Sequence, residues 1–239
     1  MLLRTMFRLW RLVDKEEWKL LATSVNAAYV KFSNSVFVPA AVLQPPFYDG
    51  GYNPAVVYGG LGSVLGHEIT HGFDINGANY DENANRRNWW TEKVKELFIN
   101  KTECLRKLYA NLEIAGSRVD GHLTLGENMA DHGGLKVSLD ALLESLRDSP
   151  LTWRLDSLVR VFFISYAQLW CIKSHAGQAK AEALTDKHAP LPFRANGAVS
   201  QNTDFARAFR CRQGAAMNPV HKCSAWRDSE PEALARHGI

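Results

Sequence analysis

The stretch His67-Glu68-Ile69-Thr70-His71 is the most informative part of the 239-residue sequence. It lies in a run of apolar residues with helical spacing, which predicts a helix over about residues 53–74. Residues four apart share one face of a helix, so the imidazoles of His67 and His71 can reach a single zinc ion. Glu68 lies beside them, where its carboxylate can take a proton from water. The pentapeptide therefore predicts a metal site that needs a third ligand.

The third ligand is expected further along the chain. Six residues after His71, where one class of such sites has another histidine, the sequence has Gly77, and that class is excluded. A carboxylate is the other solution. Glu127 and Asp131 are four residues apart on a second predicted helix, so one can bind zinc while the other accepts the N–H of a ligating histidine. Taken alone, Glu127 is better explained by the dipole of its helix, and only the combination favours the metal site.

The rest of the chain reads as mainly helical, with a small β element near its start. Residues 25–32 and 36–43 are rich in β-branched and aromatic residues, and Asn34-Ser35 between them predicts a turn. The chain from residue 184 onward, punctuated by Pro and Asn, reads as short elements and loops. Helical spacing and capping signals predict three further helices, at about residues 91–109, 127–146 and 156–173. The fold class is therefore mainly α, in an α+β arrangement.

Composition excludes several functions. The chain is 46% hydrophobic and 22% charged, which is typical of a globular protein, and its net charge of +3 is too small and too evenly spread for a nucleic-acid partner. The best candidate for a membrane span, residues 158–172, is short and contains Arg160. Arg4, Arg8 and Arg11 interrupt the apolar region that a signal peptide needs, so neither a signal peptide nor a membrane span is predicted.

A series of motifs runs along the chain. Their residues are 25–27 (Val-Asn-Ala), 38–40 (Val-Pro-Ala), 43–47 (Leu-Gln-Pro-Pro-Phe), 66–74, Trp89-Trp90, 123–131, 168–171 (Gln-Leu-Trp-Cys), 185–190, Phe193-Arg194, 217–219 (Met-Asn-Pro) and 222–226. In this order they resemble the catalytic region of the neprilysin and endothelin-converting enzyme family of zinc metallopeptidases, a gluzincin group. The resemblance covers about residues 10 to 226 and implies a thermolysin-like catalytic lobe.

The resemblance implies the metal centre residue by residue. His67, His71 and Glu127 match the zinc ligands, which would hold one Zn²⁺ per chain. Glu68 matches the general base. Asp131 matches the residue that orients a ligating histidine, in agreement with the spacing argument.

The resemblance also assigns residues to the substrate. His188 matches the histidine that stabilises the developing oxyanion, and Arg194 the arginine that binds a backbone carbonyl of the substrate. Asn26 and Ala27 match the edge-strand pair that holds the peptide main chain, a form of strand addition. Asp186, two residues before His188, either orients that ring or caps a turn, and the sequence does not decide between them.

What these assignments imply is a zinc-dependent endopeptidase or oligopeptidase that hydrolyses small peptides, in an extracellular or cell-surface setting. The alternative is a truncated inactive fragment or a zinc-containing binding module without turnover. Family members carry several hundred residues before this region, which form a second lobe over the site. We therefore expect residues 1–226 to be a catalytic domain without its lid lobe, for which an N-terminal lobe is a candidate partner, and residues 227–239 to be a polar extension.

Four cysteines cannot be paired from their spacing alone. In the resemblance Cys104 pairs with Cys223, whereas Cys171 and Cys211 pair with cysteines of the lid lobe. One internal disulfide and two free thiols are therefore expected.

Other residues receive a structural interpretation. Trp89-Trp90 is better explained by packing than by substrate contact, and Phe162, Phe163 and Trp170 have the helical spacing of core residues. Some positions depart from the family pattern without touching a proposed ligand: Ala28, Ile75, Ala78 and Ala84. They suggest that the loop after the zinc helix sits differently and that the substrate groove is reshaped.

Overall fold

The computed structural model describes residues 17–151 and 154–226, together with residues 10 and 14. The predicted extension at residues 227–239 lies outside the described residues. The described chain is mainly helical, as predicted. Its helices are α1 (Pro54–Val57), α2 (Ser63–Thr70), α3 (Glu92–Ala110), α4 (Leu125–Ser145), α5 (Leu155–Leu169), α6 (Ala176–Thr185), α7 (Leu191–Ser200) and α8 (Thr203–Ala208). Its strands are β1 (Ala28–Val30), β2 (Ser35–Phe37), β3 (Glu113–Ile114) and β4 (Ser117–Arg118).

The first β element is a short antiparallel hairpin in which Tyr29 lies opposite Val36. Asn34 makes the turn with a φ of 50°, a left-handed conformation that asparagine tolerates. Both strands are shorter than predicted. The second gives way to a 3-10 turn at Ala40–Val42, because Pro39 has no N–H to donate to a ladder.

The predicted helix at residues 53–74 is one helical path from α1 to α2. Asn53 caps its start, because its side chain accepts a hydrogen bond from the N–H of Ala55, and Pro54 fits the first helical position. Between α1 and α2 the residues Tyr58–Gly62 widen into a π-helix, a feature that often marks functional sites. The path ends at Thr70, so the second histidine of the motif caps the helix.

Helices α2 and α4 cross at very close range. A Cβ atom at Gly66 would lie 2.8 Å from the backbone oxygen of Gly134, and one at Gly134 would lie 2.4 Å from the backbone nitrogen of His67. Only glycine allows two helix backbones to approach this closely. The crossing brings the motif on α2 against the carboxylates on α4.

The main core lies behind this crossing, where α4, α5 and α7 pack together. Phe162 and Phe163 are fully buried there, as predicted from their spacing. Burying such a side chain contributes about 1.5–3 kcal/mol, so this core supports the helices that carry the site. Helix α6 falls between the predicted elements and was not anticipated.

Helix α3 begins at a predicted cap, since the Thr91 side chain accepts a hydrogen bond from the N–H of Val94. The Cys104–Cys223 disulfide joins this helix to the segment near residue 223, with 5.5 Å between the Cα atoms. Cys171 is free and exposed, and Cys211 is free and half-buried.

Across residues 17–151 and 154–226, no helix is long and apolar enough to cross a membrane.

Candidate metal centre and active site

Three side chains converge from α2, its C-cap and α4. The Nε2 atoms of His67 and His71 lie 3.0 Å apart. Oε2 of Glu127 lies 3.3 Å from each of them. Ligand atoms about 2 Å from a tetrahedral zinc ion lie roughly 3.3 Å from one another, so this triangle has the dimensions of a zinc site.

The electrostatics of this triangle favour a bound cation. Oε2 of Glu127 is buried and has no hydrogen-bond partner, a costly situation that a metal ion would relieve. Burial raises the pKa of Glu127, yet the imidazoles of His188, His67 and His71 around it bring that pKa far below its ordinary value. The carboxylate is therefore held in its charged form, as a metal ligand must be.

Each of the two histidines has a carboxylate behind it. Nδ1 of His67 lies 2.7 Å from Oδ1 of Asp131, the residue predicted for this role. Nδ1 of His71 lies 2.7 Å from Oδ2 of Asp74, which the sequence argument did not single out. Burial lowers the pKa of His71, but Asp74 and Glu127 outweigh this and raise it to about 10. These partners fix both rings with Nε2 directed at the common point.

Arg194 lies behind Asp131. Its Nε and Nη2 atoms donate to the two oxygens of Asp131 at 2.8 and 2.7 Å. Burial opposes its charge, yet Asp131 raises the pKa of Arg194 above its ordinary value. The guanidinium carbon lies 3.9 Å from the ring centroid of Trp170. The prediction of Trp170 as core is thus incomplete, because the ring also lines the cavity and stacks on this arginine.

The loop before α7 brings two further side chains to Glu127. Nε2 of His188 lies 3.3 Å from Oε2 of Glu127, and its Nδ1 lies 3.0 Å from Oδ1 of Asp186. The same Asp186 oxygen accepts the backbone N–H of His188 at 2.8 Å, so this aspartate orients the ring and caps the turn at once. Lys187, which the sequence argument missed, places its Nζ 2.8 Å from Oε1 of Glu127.

A cavity of about 630 Å³ opens over these side chains. Its lining includes Asn26, Ala27, Glu68, His188 and Arg194 together with the two histidines. The structure therefore brings every residue predicted for the metal centre and for the substrate to the lining of one cavity.

The departures from the family pattern lie outside the metal centre. Ala84 adopts a φ of 67°, a conformation that suits glycine and is strained for alanine. Ile75 packs against a core cluster around Leu105 and Met129.

Trp90 donates its indole N–H to the carbonyl of Ala78 at 2.9 Å and packs against Phe98, in keeping with a packing role.

Comparison with known proteins gives a consistent result. The sequence profile of Peptidase family M13 matches residues 26–225. Endothelin-converting enzyme-like 1 of Rattus norvegicus is 44% identical over 90% of this chain, and endothelin-converting enzyme 1 of Homo sapiens is 38% identical over 89%. The crystal structure of Mycobacterium tuberculosis zinc metalloprotease Zmp1 in complex with an inhibitor superposes with a TM-score of 0.87 at 35% identity.

These proteins are much longer than the matched region. The chain spans 28% of the length of each of the two curated relatives. The superposition covers 94% of this chain and 36% of the Zmp1 chain.

Proposed function

The chain belongs to peptidase family M13, and from that premise we propose that it provides the catalytic region of a zinc-dependent peptidase that hydrolyses small peptides. The convergence of His67 Nε2, His71 Nε2 and Glu127 Oε2 is the observation that carries this proposal. Two imidazoles and one carboxylate form a donor set found in catalytic zinc sites, which leave a coordination position for water or substrate.

His67, His71 and Glu127 would hold one Zn²⁺ ion per chain. Zinc bound there would lower the pKa of a water molecule and polarise the scissile carbonyl. Asp131 and Asp74 keep the two imidazoles in the tautomer that presents Nε2 to the ion.

Glu68 is the proposed general base. Its carboxylate is 6% exposed and borders the cavity beside both histidines. It would accept a proton from the attacking water and pass it to the departing amine. Glu68 lies on α2 between His67 and the C-cap residue His71, which keeps this transfer close to the proposed metal ligands.

His188 and Arg194 are the proposed partners of the substrate carbonyls. Asp186 holds Nδ1 of His188, which leaves Nε2 facing the metal ligands, where the oxyanion would develop. Asp131 and Trp170 fix the plane of Arg194, which can then bind a backbone carbonyl with its remaining N–H groups.

The substrate main chain would lie along residues 26–27, which lead into β1. These residues line the cavity, and an extended peptide can add to them as a further strand. Asn26 and Ala27, just before β1, would hold the main chain there. Such binding reads peptide backbone rather than one side chain, which suits small peptides of varied sequence.

We propose an extracellular or cell-surface setting and peptide substrates for the protein to which this chain belongs. The Cys104–Cys223 disulfide supports that setting, since disulfides persist in oxidising compartments.

The test combines zinc content with cleavage of a quenched fluorescent peptide. We expect one zinc per chain, and cleavage that falls at least roughly 100-fold in the Glu68→Gln variant with zinc retained. Glu96→Gln, an exposed glutamate on α3, is the matched control and should leave the rate unchanged. Stoichiometric zinc without cleavage that depends on Glu68 would indicate a binding module without turnover, and absence of zinc would contradict both functions.

A further inference from the structure

The proposed general base has a backbone partner. The N–H of Tyr29 donates to Oε2 of Glu68 at 2.8 Å, across 39 residues of sequence. Tyr29 is the middle residue of β1 and lies opposite Val36 of β2. Since its amide points to Glu68, Tyr29 and Val36 form a pair that exchanges no hydrogen bonds, while the flanking residues pair with β2. The cavity edge of β1 is thus where α2 and the hairpin meet.

This contact constrains the carboxylate more than a side-chain donor would. A strand amide is held by the backbone of the hairpin, so Glu68 is the only side chain whose rotamer has to be fixed to form the bond. A hydrogen bond to an ionised carboxylate is about twice as strong as a neutral one. Tyr29 holds Oε2, and Oε1 takes no part in this hydrogen bond.

We propose that the backbone N–H of Tyr29 is a positioning group that holds Glu68 in its proton-accepting orientation. The inference rests on the proposed function of Glu68 as general base. The Tyr29 amide of β1 then holds the base, while Asn26 and Ala27, just before β1, bind the substrate main chain. The substrate therefore pairs on the Ala27 side of Tyr29 and does not use the Tyr29 amide.

The side chain of Tyr29 has a separate role. Its hydroxyl donates to Oδ1 of Asn34 at 2.9 Å, on the turn of the hairpin. Replacement of Tyr29 by alanine thus removes the side-chain contact and keeps the amide. Replacement by proline removes both, and proline is tolerated at an edge position whose N–H takes no part in the ladder. The two variants separate the amide from the side chain.

The hydrogen bond can be detected directly in the zinc-free protein. The chain has 7 tyrosines, so ¹⁵N-tyrosine labelling gives a simple amide spectrum in which the Tyr29 signal is assigned by its loss in Tyr29→Ala. We expect this amide proton to lie downfield and to move upfield in Glu68→Gln, because the charged acceptor becomes neutral. Glu96→Gln should leave it in place. An amide proton that does not respond to Glu68→Gln would overturn the proposal.

Steady-state kinetics test the positioning role itself. We expect kcat of Tyr29→Pro to fall roughly ten- to hundred-fold below that of Tyr29→Ala, with KM and zinc content little changed, because only the orientation of the base is lost. Equal kcat values for the two variants, or a change confined to KM, would contradict it. If Tyr29→Pro does not fold, the response of the Tyr29 amide signal to Glu68→Gln decides whether the hydrogen bond exists. If the wild-type protein does not cleave peptides, the proposed function fails, and the spectrum still reports on the hydrogen bond.

Discussion

The two histidines of the candidate metal centre are held by carboxylates that reach them in different ways. Asp131 comes from α4, 64 residues after His67, whereas Asp74 follows His71 by only three residues. Both make a contact of 2.7 Å to Nδ1. Equal geometry therefore arises once from the packing of two helices and once from a local turn.

The difference determines what each contact depends on. Asp131 is 2% exposed and also holds Arg194, so it belongs to a buried charge network that the close crossing of α2 and α4 assembles. Asp74 accepts the backbone N–H groups of Asn76 and Gly77 through its other oxygen, both at 2.7 Å. Asp131 therefore stabilises the fold as well as the position of His67, while Asp74 stabilises only the position of His71 and one local turn.

The largest effect is expected from Asp131→Ala, which removes the buried carboxylate that holds both His67 and Arg194. The substitution leaves Arg194 buried without its anion, so we expect the unfolding free energy of the zinc-free protein to fall by about 3–5 kcal/mol. Denaturant unfolding measures this loss. Asp140→Ala, on the more exposed side of the same helix, should cost less than about 1 kcal/mol.

A double substitution then identifies the cause. Asp131→Ala combined with Arg194→Met removes both buried charges, and we expect it to recover part of the lost stability. A double variant less stable than Asp131→Ala would mean that the charge network does not account for the cost.

The second largest effect is expected from acid, which should lower the folding stability through His132, the neighbour of Asp131. His132 follows Asp131, its Nε2 lies 3.1 Å from the hydroxyl of Tyr109, and burial lowers its pKa to about 4. The unfolded chain takes up a proton near pH 6.5, which the folded ring resists until about pH 4. Stability present above pH 6.5 is therefore lost as the pH falls toward 4, by about 1–2 kcal/mol at pH 5.

The check on this prediction is the pH dependence of unfolding in His132→Gln. That variant should lose less stability than the wild type between pH 7 and 5. His122→Gln, at an exposed position, should behave like the wild type. Parallel curves for the wild type and His132→Gln would rule His132 out as the acid-sensitive group.

The smallest effect is expected from Asp74→Asn. An asparagine oxygen can still accept the N–H groups of Asn76 and Gly77, so the stability of the zinc-free protein should hardly change. The loss of charge behind His71 should weaken zinc binding by roughly tenfold, measured by competition with a chelator. Asp131→Asn is the parallel variant, and we expect it to lose stability as well as zinc affinity, because Asp131 also holds the buried Arg194. Equal losses of stability in the two variants would remove the distinction.

Sequence reasoning was strongest where a signal is local and periodic. Helical spacing located the helix of His67 and His71 and the helix of Glu127, although residues 125–131 of the latter are all buried. The same spacing placed Glu127 and Asp131 on one face of α4. Ordinary capping chemistry located the start of α3 at Thr91.

What sequence reasoning missed depends on three-dimensional placement. Asp74 has the spacing of a turn residue, and its contact with His71 arises because the helix stops at Thr70 rather than at residue 74. Lys187 sits in a loop, and nothing in its neighbours predicts that its amine reaches Glu127. Trp170 carries the apolar pattern of a core residue, which does not distinguish a ring in the core from one that also stacks on Arg194. An aspartate one turn after a predicted ligand is the one signal that could have been used.

The disulfide has a topological consequence. By joining Cys104 to Cys223, a separation of 119 residues, it closes a covalent ring that contains α4 and α7. Glu127, Asp131, His188 and Arg194 all lie within that ring, and His67, Glu68 and His71 lie outside it. The candidate metal centre thus combines side chains from outside the disulfide-closed ring with side chains from within it. A single backbone cut within the ring leaves both products covalently attached, so such a nick alone does not release the carboxylate half of the site.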